Sequence, residues 1–332
     1  MGVSKCRPKA LVLLSGGLDS LLATRIMLDQ SVDVEAVHFV TPFSKYNYDF
    51  IDKISIDFSI KVHVIFLGQD FLDVVVKPRY GYGGQMNPCI DCRILMLKRA
   101  RELADRIGAD FLVTGEVLDE RPFSQRLRAM QLIEEETGLK GKVLRPLSAK
   151  LLSPTEAEVR GWVNREKLLA IRGRRRAPQM ELAAKYGIMD YPTPSGGCLL
   201  TDPAFSRRLR DHLKHERKLT LDDAALLMIG RHFRINGVKV VVGRNKCENE
   251  SLLKIAESNR MPYLLVKDYK GPVTIIVGES NLTIIEKTAA ITARYSDAPR
   301  ETQVKVLYKR GWEEKEIIVP PLSDEEIKCF RV

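Results

Sequence analysis

The chain has 332 residues, 45% of them hydrophobic and 29% charged, a composition typical of a soluble globular protein of about two domains. Its formal net charge of +10 favours a polyanionic partner. The first apolar run, residues 11–14, is too short for a secretory core or a membrane span, so we expect a cytoplasmic protein.

Short apolar runs alternate with helical patterns in the first part of the chain. Strands are predicted at residues 10–14, 35–40, 61–67 and 110–114, and helices at 21–30 and 94–107. This alternation predicts a doubly wound α/β fold with a parallel sheet. Ligands of such sheets bind at the carboxyl ends of the strands, where residues 15–20 and Gly115 fall.

A glycine-rich hexapeptide joins the first strand to the first helix: Ser15, Gly16, Gly17, Leu18, Asp19 and Ser20. The two glycines let the backbone turn tightly and approach an anion, and the amides at a helix start suit a phosphate. Asp19 is explained if it holds Mg²⁺, which bridges carboxylates and phosphates. The chain lacks the G-x-x-x-x-G-K-[ST] pattern, which excludes a Walker A loop.

Paired cysteine spacing in a reducing compartment indicates metal or redox chemistry. Cys89 and Cys92 form a C-x-x-C pair before the helix predicted at 94–107, and Cys198 follows a second glycine-rich turn. A helix N-terminus lowers thiol pKa values, so we expect the pair to favour the thiolate form. Three further cysteines lack a partner spacing and are expected to be structural: Cys6, Cys247 and Cys329.

The cysteine triad is compatible with three kinds of site. A [4Fe–4S] cluster on Cys89, Cys92 and Cys198 would leave one iron without a protein ligand, free to carry sulfide. A Zn²⁺ site would need a fourth ligand such as His212 or His215. A metal-free site would let Cys92 and Cys198 pass a persulfide.

Positive charge is concentrated in residues 145–218, which hold 16 Lys or Arg against 8 Asp or Glu. Such a stretch is either a solvated helix face or a surface that follows nucleic-acid phosphates, and we favour the second. The predicted RNA contacts are Arg172, Arg174, Arg175, Arg176, Arg207 and Arg208.

After residue 230 the pattern changes to short strands with one helix, which predicts a compact α+β unit. The strands are expected at 238–242, 263–266, 273–277, 304–308 and 316–319, and the helix at 282–295. We therefore divide the chain into a phosphate-loop domain with the cysteine site at 1–205, a basic helical connector at 206–232 and a second domain at 233–332.

The hexapeptide is similar to the SGGxDS signature of the PP-loop ATP-pyrophosphatases, which have an adenine nucleotide alpha hydrolase-like fold. The resemblance implies that residues 15–20 and Gly115 bind ATP, that ATP is cleaved between its α and β phosphates, and that Asp19 is catalytic. The segment from Asn87 to Cys92 resembles the region around the first essential cysteine of the 2-thiouridine synthetases. By that match Cys92 is the first catalytic cysteine, and Cys198, preceded by Ser195-Gly196-Gly197, is the second.

Two further segments carry resemblances. Residues 114–118, Thr-Gly-Glu-Val-Leu, with Ser124-Gln125, resemble the 4-thiouridine synthetases. Those enzymes carry an N-terminal tRNA-binding module, which we do not expect here because the loop begins at residue 15. Residues 242–245, Val-Gly-Arg-Asn, resemble the RNA-binding domain of the NFACT family, which implies that residues 233–332 bind RNA.

Together these resemblances imply ATP-dependent thiolation of a tRNA uridine, with a protein persulfide or free sulfide as the sulfur donor. Two alternatives belong to other classes. An amide- or nitrile-forming synthetase acting on a small molecule would share the loop but would not need three cysteines. A non-catalytic RNA-binding factor would not need an intact Asp19.

Overall fold

A computed structural model describes residues 7–44, 48–191 and 198–332. The chain divides into two compact units, the first ending at Asp202 and the second beginning at Pro203. The segment expected as a connector, 206–232, therefore falls within the second unit. Cys6 and the residues Ser195, Gly196 and Gly197 lie outside the described residues.

The first unit is an α/β domain, as the alternation of strands and helices predicted. Its elements are β1 (Lys9–Leu13), α1 (Leu18–Leu28), β2 (Asp33–Val40), α2 (Tyr48–Asp57), β3 (Lys61–Phe66), α3 (Gln69–Val76), α4 (Cys89–Ile107), β4 (Phe111–Thr114), α5 (Leu127–Thr137), β5 (Val143–Leu144), α6 (Glu156–Val159) and α7 (Ala177–Lys185). All strand pairs are parallel, in the order β3-β2-β1-β4-β5. The doubly wound parallel sheet is confirmed.

Strand β1 lies in the middle of this sheet because both of its faces are apolar. Ala10 and Val12 pack on one side with the residues of α1, while Leu11 and Leu13 pack on the other with those of α4. The order of the strands reverses between β1 and β4. Their carboxyl ends therefore flank the crevice in which doubly wound sheets bind ligands.

The second unit is built around an antiparallel sheet. Its elements are α8 (Pro203–His215), α9 (Leu221–Met228), β6 (Arg231–Ile235), β7 (Val238–Val242), α10 (Lys246–Ser258), β8 (Tyr263–Val266), β9 (Thr274–Val277), α11 (Leu282–Arg294), β10 (Val304–Arg310), β11 (Glu313–Val319) and α12 (Asp324–Phe330). The strand order is β11-β10-β8-β9-β7-β6. Apolar side chains pack on both faces, with α11 on one and α10 on the other.

The sequence prediction missed parts of the second unit. The expected helix at 282–295 is α11, but α10 and α12 also form, and β6 precedes the first expected strand. Helix α10 was missed because it is mostly charged and polar and buries only a narrow apolar stripe, Leu252 and Ala256. Within the described ranges, no helix is long and apolar enough to cross a membrane.

Candidate functional site

The hexapeptide between β1 and α1 folds as a tight loop at the carboxyl edge of the sheet. Gly16 has φ +80°, and a Cβ there would lie 2.8 Å from the ring of Phe50, so only glycine fits. The Ser20 hydroxyl donates to the Gly17 carbonyl at 2.7 Å, and the Ser15 hydroxyl lies 3.3 Å from that of Ser20. These bonds fix the loop in a bent form without a ligand.

Helix α1 begins from Gly17, which supplies no side-chain cap among the described residues. The first amides of a helix need partners outside it, and a phosphate is a suitable one. Leu18 turns its side chain into the core, where it is 2% exposed, so only its backbone belongs to the binding surface.

Gly115 brings the end of β4 against this loop. A Cβ at Gly115 would lie 2.5 Å from the carbonyl carbon of Asp19 and from the amide nitrogen of Ser20. No ordinary side chain tolerates such contacts with backbone, so the absence of a side chain allows the end of β4 to pack against the first turn of α1.

Asp19 carries the distinctive electrostatics of the site. Its Oδ1 atom is buried and has no hydrogen-bond partner within the part of the chain that the structure describes. Burial and, to a lesser extent, the nearby charge of Glu120 raise the pKa of its carboxyl to about 6, although the charge of Arg176 acts in the opposite direction. A buried carboxylate oxygen without a partner is costly, and a bound cation would satisfy it.

Side chains from two other segments approach Asp19. The Arg176 guanidinium lies 3.6 Å from Asp19 Oδ2 and 3.2 Å from Glu120 Oε1, and so links the two carboxylates. The amide of Gln179 on α7 is fully buried beside them. We did not predict Glu120 or Gln179 from the sequence. Glu120 follows β4 closely, so its position after a strand next to β1 was the signal available.

The C-x-x-C pair lies inside the first turn of α4, which begins at Cys89, five residues before the predicted helix. The Asn87 side-chain amide donates to Cys89 Sγ at 3.1 Å. Asp91 is buried, and its two oxygens accept from the backbone amides of Arg79 and Tyr80 at 2.9 and 3.0 Å. Asp91 thereby holds the segment before the pair against the helix.

The three thiols lie within electrostatic range of one another. Burial, together with the smaller effects of the Cys198 and Cys89 thiols, raises the pKa of the Cys92 thiol to about 12, although the charge of Arg93 acts in the opposite direction. The expectation of a low thiol pKa was therefore wrong for Cys92. Desolvation outweighs the helix dipole, which acts only over the first turn.

The thiols are close but do not form a ready metal site. Across the described ranges, no group of three His, Cys, Asp or Glu side chains is arranged to hold a metal ion. His212 and His215, considered as zinc ligands, each use one ring nitrogen on a backbone carbonyl, of Lys218 and Asp211 respectively. Of the cysteines expected to be structural, Cys247 and Cys329 are exposed and do not pack in a core.

A buried ion network lies behind the cysteine pair. Glu116 is 2% exposed and pairs with Arg93 Nε and Arg145 Nε, each at 3.0 Å. Burial alone would raise the pKa of Glu116, but the two guanidinium groups hold it below its usual value. Arg145 is itself buried and also pairs with Glu134, so this residue of the basic stretch does not reach RNA.

The predicted RNA contacts fall into different environments. Arg174 and Arg175 are exposed, whereas Arg172 pairs with Asp119 at 2.7 Å and Arg176 belongs to the Asp19 site. On α8, Arg207 is exposed and the Arg208 guanidinium lies over the ring of Phe205 at 5.4 Å. The exposure of Arg174, Arg175 and Arg207 is compatible with the predicted RNA contacts. Arg176 is better assigned to the loop, because it pairs with Asp19 and Glu120.

The first unit is thus a doubly wound α/β domain with a glycine-built loop after its central strand, and Gly115 packs the end of β4 against that loop. Residues 5–150 match the family model described as "Thiamine biosynthesis protein (ThiI)". Residues 230–331 match the family model described as "NFACT protein RNA binding domain". These two matches confirm the resemblance of the first part of the chain to the PP-loop thiouridine synthetases and that of the last part to the NFACT RNA-binding domain.

Several similar proteins have names that denote thiolation of tRNA. A tRNA-specific 2-thiouridylase of Syntrophotalea carbinolica is 35% identical over 117 residues, 32% of this chain and 33% of that protein. A probable tRNA sulfurtransferase of Lysinibacillus sphaericus is 32% identical over 148 residues, 42% of this chain and 34% of that protein. The chain thus spans about a third of the length of these relatives.

The solved structures that match part of this chain include one described as a 4-thiouridine synthetase–RNA complex with bound ATP. It is 24% identical to this chain, with a TM-score of 0.38, and the match covers 67% of this chain and 52% of that one.

Proposed function

We propose that this protein is a tRNA sulfurtransferase that uses ATP to activate a uracil carbonyl oxygen and replaces that oxygen with sulfur. The observation that carries the proposal is the buried, unpartnered Oδ1 of Asp19 in a glycine-built loop, in the same unit as three neighbouring thiols. The names of the relatives, which include a 2-thiouridylase and a tRNA sulfurtransferase, favour a uridine of tRNA as the substrate.

The first step would be adenylation. The uracil oxygen attacks the α-phosphorus of ATP and pyrophosphate leaves, so that a poor leaving group becomes AMP. Ser15, Ser20 and the backbone amides at the start of α1 would bind the pyrophosphate portion, which is catalysis by positioning and electrostatics. Asp19 would hold Mg²⁺, which supplies charge neutralisation on the phosphates.

The second step would be sulfur transfer. Free sulfide would attack the adenylated carbon, and AMP would leave with the original oxygen. If a persulfide on Cys92 or Cys198 is the donor, its outer sulfur attacks the carbon and AMP leaves; the other cysteine thiol then attacks the carrier sulfur, which releases the thiouridine and forms a Cys92–Cys198 disulfide. Cys89, Cys92 and Cys198 would be the ligands of a [4Fe–4S] cluster, which would supply an open iron position for sulfur. The electrostatic interaction among the three thiols supports this assignment. Because no three of the described side chains are arranged as metal ligands, the thiols would have to move closer together to hold the cluster. The high pKa of Cys92 explains why an unligated thiol there would be a weak nucleophile.

The proposal extends to partner and location. The Arg174–Arg175 surface and the second unit would hold tRNA, whose target base must leave its stack to reach the loop. A substrate of this kind places the protein in the cytoplasm.

The test combines two measurements. Protein purified anaerobically should contain iron and sulfide near four of each, and Cys198→Ser should lose both while Cys329→Ser, which also changes an exposed cysteine, should keep them. In a deletion strain, mass spectrometry of tRNA nucleosides should show the loss of one thiouridine, restored by the wild type and by Cys329→Ser. A complete set of thionucleosides in the deletion strain would refute the proposed function.

A further inference from the structure

The second unit contains a cavity of about 460 Å³ beside the start of α10. This volume lies in the range of about 300–1,000 Å³ that is usual for small-ligand sites. The cavity is bordered by the ends of β6 and β7, the first two turns of α10 and the segment 270–273. We call it the α10 pocket.

The lining of the α10 pocket includes the guanidinium of Arg231, which is fixed by two contacts. Arg231 lies over the ring of Tyr295, with 4.6 Å between its Cζ atom and the ring centroid, and donates to the Gly243 carbonyl at 3.3 Å. Tyr295 is supported from below by Phe233, at 5.9 Å between ring centroids. A guanidinium held over an aromatic ring on one side can stack against a nucleic-acid base on the other.

The rim of the α10 pocket carries both cationic and anionic side chains. Lys246 and Lys270 are exposed cations that line the pocket. Arg244 is held by Glu248, with its Nε atom 2.9 Å from Oε1, so we assign it no ligand. Glu250 and Asp297, also at the rim, are acceptors for the exocyclic amino group of a base.

The pocket is preorganised by its own backbone. A Cβ at Gly243 would collide with Asn249 Oδ1, which accepts from the Val273 amide at 3.1 Å, so the two walls meet only because Gly243 has no side chain. Asn245 caps α10 by accepting from the Glu248 amide at 3.0 Å. The walls therefore need no rearrangement to accept a ligand.

From this geometry we propose that the α10 pocket binds one unpaired nucleotide of the RNA substrate. The base stacks on Arg231, an amino group on its edge faces Glu250 or Asp297, and the adjoining phosphate contacts Lys246 and Lys270. The proposal rests on the proposed function for the identity of the RNA, a tRNA, and it names the place where the second unit holds that RNA.

The test uses the full chain and fluorescence anisotropy with three probes: unmodified tRNA, a single-stranded RNA 12-mer and fluorescent AMP. The double variant Lys246→Gln/Lys270→Gln changes exposed residues only, so its folding is not at risk. It should weaken binding of tRNA and of the 12-mer. The plot of the logarithm of the association constant against the logarithm of salt concentration should become less steep, by about 1.4 to 1.8. Lys328→Gln, an exposed lysine of α12 outside the pocket, should change neither.

Arg231→Met keeps the length of the side chain but removes its planar charge. It should weaken binding of the 12-mer by about tenfold, the size expected for one stacked base. Unchanged affinity in the lysine double variant would overturn the proposal. Tight binding of AMP alone that depends on Arg231 would also overturn it, because the pocket would then serve a free nucleotide.

Failure of this proposal can be told from failure of the proposed function. If the wild type thiolates tRNA but the pocket variants bind RNA normally, only the pocket assignment fails. If the pocket variants lose RNA affinity but the wild type makes no thionucleoside, the pocket stands and the thiolation proposal fails.

Discussion

Helices α1 and α10 each begin beside a candidate phosphate site, and the two starts are built differently. Gly17 begins α1 and, within the described residues, gives it no side-chain cap, whereas Asn245 caps α10 through a bond from the Glu248 amide. The α1 start also keeps a buried carboxylate oxygen without a partner, on Asp19. The start of α1 therefore leaves groups that a bound ligand and its cation would pair, whereas the cap of α10 is made by the protein itself.

This difference separates two kinds of anion recognition. At α1 the backbone amides and a cation on Asp19 would do the binding, which suits a nucleotide with its metal. At α10 the Glu248 amide is already bonded to the Asn245 side chain, and the groups that line the pocket are side-chain cations and the Arg231 stack, which suits RNA. Variants that affect one site and leave the other intact test the distinction.

The largest effect is expected at Asp19. Asp19→Asn keeps the shape of the side chain but weakens its hold on a cation, so RNA-dependent AMP formation should fall by about 10²-fold or more. The affinity for tRNA should not change. Asp29→Asn, at the exposed C-terminal end of the same helix, is the matched control and should retain full activity. Equal activity in Asp19→Asn and the wild type would remove the loop from the mechanism.

A smaller loss is expected from adding one methyl group at Gly115. Gly115→Ala forces a Cβ within 2.5 Å of the Asp19 and Ser20 backbone, so it should lower the free energy of unfolding of the first unit. Overpacking of this kind costs about 1–3 kcal/mol and should also weaken ATP binding. Urea unfolding measures the first effect and ATP titration the second. Gly84→Ala, where a Cβ meets nothing within 4 Å, should have little effect on either.

Within residues 174–176, we expect Arg174 and Arg175 to contribute to RNA binding and Arg176 to contribute to the ATP site. Arg174→Gln/Arg175→Gln removes two exposed charges and should lower the salt slope of tRNA binding by about 1.4 to 1.8, without changing ATP affinity. Arg176→Gln should change ATP binding and leave the salt slope nearly unchanged, because Arg176 lies against Asp19 and Glu120. A salt slope lowered equally by Arg176→Gln would return this residue to the RNA surface.

The smallest effect concerns His232, a buried residue of β6. Burial, aided by nearby Lys239, lowers the pKa of His232 from 6.5 to about 3. The unfolded chain therefore takes up a proton that the folded unit resists, so this contribution to stability is present above about pH 6.5 and is lost as the pH falls towards 3. In urea unfolding between pH 7.5 and 5.0, His232→Gln should show a weaker pH dependence than the wild type. The exposed His215→Gln should behave as the wild type does.

The loop could be predicted from the sequence because six consecutive residues carry it, and Gly115 because strand ends meet at one edge of a parallel sheet. Glu120 and Arg176 were not assigned to this site because they reach Asp19 from distant segments through tertiary packing. The thiol pKa was wrongly predicted because the helix start is visible in the sequence and the burial around Cys92 is not. Helix α10 was missed because few of its residues are apolar.

A single-turnover reaction tests the central claim most directly. Anaerobically purified protein is mixed with ATP, sulfide and unmodified tRNA, and AMP and thiouridine are measured in the same samples. We predict that AMP forms only when tRNA is present and that one thiouridine appears for each AMP. AMP formed equally without RNA, or formed while the tRNA stays unmodified, would contradict the account.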